Sequence, residues 1–301
     1  MSYFDVDAIS QSYLKGVLYG HSEKKESSSM TMGSMIDMLV TQEDKFRDTY
    51  FVLSNEEMPS DTIKAIIDLA FTYEDRSYER AIEELNYIGN RAWSMEKKVE
   101  KVTSHTNYIN QKIASVGKII ISHEQYTQAN LLALKVMQQL NELKLQGDRY
   151  NQLELYNTIT HQHLGVAKEF YCKGMLDIVF IGDTIQPIDI KYTSHNFEKS
   201  AKMFRYDIQA AFYTKLLQLE YPNIPIEPFM FIVVGETQAD TYVLSEEDLY
   251  IGEWGAKAIY NTVYTPHNEW KAEYDIYGYR DAFDKLMNPE EEGVKLLKLW
   301  T

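Results

Sequence analysis

The sequence contains a single cysteine, Cys172, in 301 residues. One cysteine excludes a disulfide framework, and any cysteine-ligated zinc or iron–sulfur centre within one chain. Long apolar runs are also missing: no stretch approaches the roughly 18 apolar residues that a membrane span needs. The opening, Met1-Ser2-Tyr3-Phe4-Asp5, lacks the basic start and apolar run of a signal peptide. Together these absences predict a cytoplasmic protein with no membrane partner. No G-x-x-x-x-G-K-[ST] occurs, so no ATP motor is encoded, and no G-x-S-x-G or cysteine-nucleophile context is found. No repeat of 20–50 residues is visible.

Positive charge is scarce as well. Thirty Lys and Arg stand against 45 Asp and Glu, a formal charge of −15. That balance argues against a protein that coats nucleic acid non-specifically. The charge is unevenly spread, however. Residues 41–90 hold 12 acids and 5 bases, and residues 236–301 hold 14 acids and 6 bases. Between them, residues 91–118 carry Arg91, Lys97, Lys98, Lys101, Lys112 and Lys118 against Glu96 and Glu100. A second group of bases follows: Lys168, Lys173, Lys191, Lys199, Lys202, Arg205 and Lys215. A basic middle between acidic flanks is suited to holding a polyanion locally, although a basic stretch is equally a solvated helix face. The 45% apolar and 25% charged content is that of an ordinary globular chain and excludes global disorder.

The spacing predicts a short helix over 7–18 entered from a serine cap, and another over 30–40 with Met32, Met35, Ile36 and Leu39 on one stripe. Ser22–Ser29 reads as a mobile loop. Residues 61–120 are mostly helical in pattern, contain no proline, and follow Pro59-Ser60 as a helix start would. Ser122 and Gln125 form a capping-box signal for a helix over 123–145, with Leu131, Leu134, Met137, Leu140 and Leu145 as apolar positions. The texture then changes. Residues 151–157 alternate polar and apolar. Residues 166–181 and 185–192 read as strands joined at Gly182-Asp183, and Pro187 hints at an edge or a strand start. A helix returns over 200–220. Strands are expected at 228–234 and 241–244, with helices from 245 to the end. The expected fold is one α/β domain over 1–301, with a helical segment at 61–145 before a core at 150–245.

The chemistry concentrates in 174–213. Asp177 lies on one predicted strand, and Asp189 and Lys191 stand two apart on the next, leaving from one face. Two carboxylates and an ammonium thereby converge on one patch of sheet. Carboxylates are hard ligands suited to Mg²⁺ or Mn²⁺. A cation there polarises a phosphoryl oxygen, while the lysine counters charge developing on phosphorus. Taken alone, an Asp–Lys pair on neighbouring strands is also an ordinary surface salt bridge, worth about 0–1 kcal/mol.

Its neighbours carry a resemblance. Asp177 with Asp189-Ile190-Lys191 resembles the PD-(D/E)XK nuclease superfamily, and Gln209-x-x-x-Tyr213 is similar to the QxxxY motif of its RecB-like branch. The wider text is similar to phage-type exodeoxyribonuclease VIII-like proteins. It runs Asp189-Ile-Lys191-Tyr-Thr193 to Phe197, then Phe204-Arg-Tyr206-Asp-Ile-Gln209-Ala-Ala-Phe-Tyr213. Weaker matches flank it: Ser10-x-Ser12-x-Leu14-Lys15, Met32-Gly33-Ser34-Met-Ile-Asp37, Phe229–Val234 with Glu236, and Tyr277-Gly278-Tyr279.

The resemblance implies a restriction-endonuclease-like core, a mixed central sheet flanked by helices, with a helical N-terminal segment. It implies metal ligation by Asp177, Asp189, the Ile190 carbonyl and Asp37, the last standing where the family's helix carries histidine. It also implies catalysis by Lys191, supported by Gln209 and Tyr213. The family's first acidic position falls on Glu154 or Gln152, and the register leaves both open. Glu169 is a poorer match. Lys97, Lys98, Lys101, Lys199, Lys202 and Arg205 are the candidate DNA-binding residues.

His161-Gln162-His163 reads as a polar turn between strands, or as a chelating pair. His195 lies near Lys191 and reads as a loop residue or a phosphate contact. Cys172 reads as a core filler. The expected activity is a Mg²⁺- or Mn²⁺-dependent recombination exonuclease acting on DNA ends, duplex or single-stranded. The alternatives are a replication or repair endonuclease of the same fold, and a DNA-binding protein whose chemistry has lapsed. A single-strand annealing protein is the partner the resemblance implies, and a ring-forming homo-oligomer is left open.

Overall fold

The computed structural model describes residues 3–20, 28–54, 58–90, 92–193, 195–236, 238–262 and 270–287. In chain order, the helices and strands begin with α1 (Gln11–Tyr19), α2 (Ser28–Thr41), α3 (Glu43–Thr49), β1 (Tyr50–Leu53), α4 (Asp61–Ala70), α5 (Tyr78–Glu84), α6 (Met95–Thr103) and α7 (Thr106–Ala114). There follow β2 (Ile119–Ser122), α8 (His123–Glu142), β3 (Asp148–His163), β4 (Val166–Ile181), β5 (Ile185–Tyr192), α9 (Phe197–Phe204) and α10 (Tyr206–Glu220). The order closes with β6 (Met230–Val234), β7 (Ala239–Val243), α11 (Glu246–Trp254), β8 (Ala256–Thr262), β9 (Trp270–Ile276) and α12 (Tyr279–Met287). The chain divides into two compact units, one made of 1–41 with 132–301 and the other of 42–131. Among the described residues no helix is long and apolar enough to cross a membrane.

The larger unit is built on a five-stranded sheet in the order β3-β4-β5-β6-β7. Only β5 and β6 run parallel, so the sheet is mixed. The apolar run Met230–Val234 is buried throughout, as expected for a strand covered on both faces. On one face, Leu14 and Leu18 of α1, Ile208, Phe212 and Leu216 of α10, and Tyr279 and Phe283 of α12 join Leu155, Cys172, Leu176 and Phe231 in a single core. Cys172 is therefore the core filler that its surroundings suggested. The helix α2 packs against β4 and β5. Its C-terminal carbonyls are tied to β3: Arg149 Nη2 donates to Val40 O at 3.0 Å and Asn151 Nδ2 to Thr41 O at 3.1 Å. These bonds satisfy carbonyls that a helix end leaves without an internal partner.

The smaller unit holds α3 to α7 and the parallel pair β1–β2. Its core gathers Ile63, Ile66 and Ile67 of α4, Ala81 and Ile82 of α5, Val102 of α6 and Tyr108 of α7.

Several expectations are corrected. The region after 245 is not all helix, because Ala256–Thr262 and Trp270–Ile276 pair antiparallel as β8 and β9. Pro187 is not at an edge: β5 lies between β4 and β6. Its missing N–H is tolerated because parallel pairing with β6 starts one residue later, at Ile188–Met230. His161-Gln162-His163 belongs to β3, and the chain turns after it at Leu164-Gly165. In α8 the capping box forms as expected, with Gln125 N–H donating to Ser122 Oγ and Ser122 N–H to Gln125 Oε1. The buried stripe of that helix is Ala129, Leu132, Ala133, Val136 and Leu140, while Leu131 and Leu134 are exposed. The loop expected at Ser22–Ser29 falls outside the described residues up to 27, and Ser28 already opens α2.

Candidate active site

The site forms where the sheet stops being regular. β4 and β5 pair only over Ile178–Ile181 and Ile185–Ile188. Beyond that the Asp177 carboxylate takes the place of a ladder bond: Ile190 N–H donates to Asp177 Oδ2 at 2.8 Å. Asp177 is also where β4 changes face. Phe170, Cys172 and Leu176 point into the α1/α10/α12 core, and so do Val179 and Ile181, so the alternation slips by one residue between them. On β3 the pairs Asn151–Ile178 and Leu153–Leu176 flank the same point. The residue between them, Gln152, takes φ 50, a left-handed conformation uncommon outside glycine. Irregularities of this kind re-aim side chains next to functional sites.

Asp189 and Lys191 leave one face of β5 and form an ion pair, Nζ to Oδ2, at 2.5 Å. Asp189 is 3% exposed. Its Oδ1 accepts from Gln209 Nε2 at 2.6 Å. Its Oδ2 is held by the Lys191 ammonium. The Lys191 ammonium lies 4.9 Å from the Tyr206 ring centre and 5.9 Å from that of Phe231. One helical turn beyond Gln209, Tyr213 is buried against β4. Gly174 permits that approach, because a Cβ there would stand 2.8 Å from Leu216 Cδ1 and 3.0 Å from Tyr213 Cδ1.

Asp37 enters from α2. Gln152 Nε2 donates to its two carboxylate oxygens at 3.1 and 3.2 Å and to Thr41 Oγ1 at 3.2 Å. The two candidates for the first acidic position are thus separated by the fold. Gln152 faces the carboxylates, whereas Glu154 is exposed and accepts from Tyr156 Oη at 2.9 Å. Glu169 is exposed as well, opposite Thr160.

The electrostatics follow from crowding three carboxylates around one lysine. Burial, then the Asp189 charge, pushes the Asp37 carboxyl up to about 6. Asp177 is raised well above the carboxylate range by burial, then by Asp189 and Asp37, against the pull of Lys191 and the Ile190 N–H. For Lys191 burial works to lower the pKa, but Asp189 and Asp177 outweigh it and hold it above the ordinary value. Lys191 is therefore an ammonium at neutral pH. Tyr213 is raised by burial and then by Asp189, so its phenol stays protonated.

Other sequence candidates have ordinary occupations or lie elsewhere. Lys97 and Lys101 are exposed and Lys98 is half-buried on α6, in the smaller unit. In the same basic stretch, Lys112 is bound to Asp68 at 2.9 Å and Lys118 to the Arg47 carbonyl at 2.7 Å, and Arg91 lies outside the described residues. Lys199 and Lys202 are exposed on α9. Arg205 is engaged by Asp207 at 2.7 Å and by the Tyr19 hydroxyl. His195 donates its backbone N–H to Thr193 Oγ1 at 3.1 Å. His161 Nε2 and His163 Nδ1 both stand 2.6 Å from one Asp284 oxygen, and Arg280 Nη1 stands 3.4 Å from His161 Nδ1. With an arginine on its second ring nitrogen, His161 belongs to a clamp between β3 and α12 rather than to a chelating pair. Among the described residues no three His, Cys, Asp or Glu side chains stand as a formed metal site.

Lys15, which the sequence marks only as part of the Ser10-x-Ser12-x-Leu14-Lys15 motif, stands at this site. Its ammonium donates to the Phe204 carbonyl at 2.7 Å and lies 5.8 Å from the Tyr206 ring centre. Thr41, which braces Asp37 through its hydroxyl at 2.8 Å to the Asp37 carbonyl, had no sequence signal at all.

No family model matches the chain, and no curated protein does. Among solved structures, it is similar to a protein named "Putative exonuclease" from Eubacterium rectale. That likeness has 12% identity and a TM-score of 0.39, and covers 81% of this chain and 74% of that one. It is also similar to a protein named SSO0001, with 12% identity and a TM-score of 0.27, over 64% of this chain and 71% of the other. At these scores neither likeness decides fold or function.

Proposed function

We propose that the chain is a divalent-metal-dependent deoxyribonuclease of the PD-(D/E)XK type, and that it acts on DNA ends as an exonuclease. The observation that carries this reading is the buried convergence of Asp177, Asp189 and Lys191, with Gln209 fixing Asp189. A surface salt bridge does not account for it, since Asp189 is almost fully buried and a carboxylate cluster of like charge costs stability.

The donor set fits Mg²⁺ or Mn²⁺. Burial and mutual repulsion raise Asp37 and Asp177 against a single ammonium, and a divalent cation would relieve that crowding by taking the place of their protons. Asp177, Asp189 and Asp37 would hold the cation, with the Ile190 carbonyl as a further ligand, once protons and internal bonds are exchanged for it. When bound, it supplies Lewis-acid polarisation of a phosphoryl oxygen and a more acidic water. Lys191 then acts as a fixed positive charge rather than a base: it donates to the phosphoryl oxygen as negative charge grows there. Gln209 keeps the Asp189 carboxylate from rotating. Tyr213, neutral and packed under β4, holds α10 in place.

One observation favours a second reading. The β3 side chain that faces Asp37 is an amide, Gln152, and not an acid, so a DNA-binding protein with lapsed chemistry would look similar here. Cleavage of end-labelled linear duplex, single strand and closed circle, with Mg²⁺, Mn²⁺ or EDTA, separates the readings. Metal-dependent loss of the linear substrates alone is the expected result. Cutting of the circle would make the protein an endonuclease, and DNA binding without cleavage would support the lapsed reading.

A further inference from the structure

Lys15 sits beside the site without an ion-pair partner among the described residues. Its ammonium is half-buried, and its hydrogen-bond partner is the Phe204 carbonyl at 2.7 Å. The neighbouring cations are each matched, Lys191 by Asp189 and Arg205 by Asp207. Lys15 and Lys191 lie over the same Tyr206 ring, at 5.8 and 4.9 Å from its centre. Burial, and next the Lys191 charge, bring the Lys15 pKa down to about 7, with Asp207 and Asp189 opposing. A desolvated cation next to another cation is stable only weakly until an anion arrives.

The residue whose carbonyl Lys15 holds is equally unusual. Phe204 is 54% exposed and Met203 is 74% exposed at the end of α9. The Phe204 ring stacks on Tyr206 at 6.0 Å with 27° between the planes, so one side of an aromatic pair is presented to solvent beside the unmatched ammonium. An exposed aromatic face next to a phosphate-seeking cation is the arrangement that holds an unpaired base, because a base within a duplex is already stacked on both faces.

We propose that Lys15 and Phe204 form a nucleotide seat beside the reacting centre: Lys15 takes a backbone phosphate of a single-stranded segment and the Phe204 ring stacks on its base. This rests on the nuclease reading and names its substrate as a strand that is unpaired at the site. Charge complementarity selects the occupant, since the seat joins an apolar platform to a cation that lacks an anion.

Fluorescence polarisation with a labelled single-stranded oligonucleotide and its duplex, in EDTA so that nothing is cut, tests the seat. Lys15→Gln is expected to weaken single-strand binding about tenfold. It should also flatten the dependence of log affinity on log salt by about 0.7. Lys15→Arg should restore both. Phe204→Ala is expected to weaken single-strand binding about fivefold or more while changing duplex binding less, with rescue by Phe204→Trp. Phe204 is exposed, so this variant keeps the test informative if Lys15→Gln folds poorly, and thermal melts identify that case. Unchanged affinity and salt slope in folded Lys15→Gln, or equal losses for duplex and single strand in Phe204→Ala, would overturn the seat. Failure of the wild type to bind either nucleic acid would instead overturn the nuclease reading beneath it.

Discussion

Replacing Asp37 by asparagine should stabilise the metal-free protein, and should do so only at neutral and alkaline pH. The carboxyl is raised from an ordinary 3.8 to about 6 by burial and by Asp189. Between those values the native state holds more protons than the unfolded chain. Stability from this group is therefore complete below the unfolded value and is lost as pH rises through about 6. At pH 8 the loss is about 3 kcal/mol, and at pH 4.5 it is about 1 kcal/mol. Asparagine removes the charge but sets an amide donor against Gln152 Nε2, which costs about 1 kcal/mol. The net gain is then about 2 kcal/mol at pH 8 and close to nothing at pH 4.5. A rise in Tm of about 4 °C at pH 8 should accompany it. Thermal melts of both proteins in EDTA at the two pH values measure this. A gain of equal size at both pH values, or a loss at pH 8, would refute the claim that Asp37 is a buried carboxylate crowded by Asp189. Added Mn²⁺ should raise the wild-type Tm more than that of the variant, because a ligand stabilises the state it binds.

Three further outcomes are expected. Gly174→Ala should cost about 1–3 kcal/mol in urea unfolding, because the added methyl meets Leu216 and Tyr213 in a filled core, and cleavage should slow as Gln209 shifts from Asp189. Gln152→Glu should lower the metal-free Tm and tighten Mn²⁺ binding in calorimetry, since it adds a fourth carboxylate facing Asp37. Unchanged Mn²⁺ affinity would show that Gln152 stands outside the ligand set. Neutralising Lys97, Lys98 and Lys101 together should weaken DNA binding and flatten its salt dependence. An unchanged slope would remove α6 from the DNA surface.

The helices and the two central strands were legible because they obey simple periods. Ser10 caps α1 through the Tyr13 N–H, Ser122 and Gln125 cap α8, and Gly182 turns β4 into β5. The pair Asp189 and Lys191 was legible for the same reason, since alternation alone places both on one face of β5. What alternation could not show is the point where it fails. The slip at Asp177 and the left-handed Gln152 are set by packing on both sides of the sheet, so counting by twos left Glu154 and Gln152 equivalent. The apolar positions of α8 do not by themselves give its buried face: Ala129, Leu132, Ala133, Val136 and Leu140 are buried, while Leu131 and Leu134 are exposed. The pair β8 and β9 is not legible because local spacing in an aromatic-rich stretch does not distinguish a paired strand from a helix. Lys15 had a motif around it but no visible role. Only the tertiary arrangement puts it over Tyr206, some 190 residues later in the chain.

Lys191 is the residue on which the proposed chemistry turns. The decisive measurement is single-turnover cleavage of an end-labelled linear DNA in Mn²⁺ by the wild type and by Lys191→Ala, with DNA affinity and Tm recorded for both. Rapid metal-dependent cleavage by the wild type, reduced at least 100-fold in a variant that still folds and binds DNA, is the result predicted for a fixed cation that stabilises developing charge. Equal cleavage by the two proteins would contradict the account and place the chemistry outside the Asp177, Asp189 and Lys191 site.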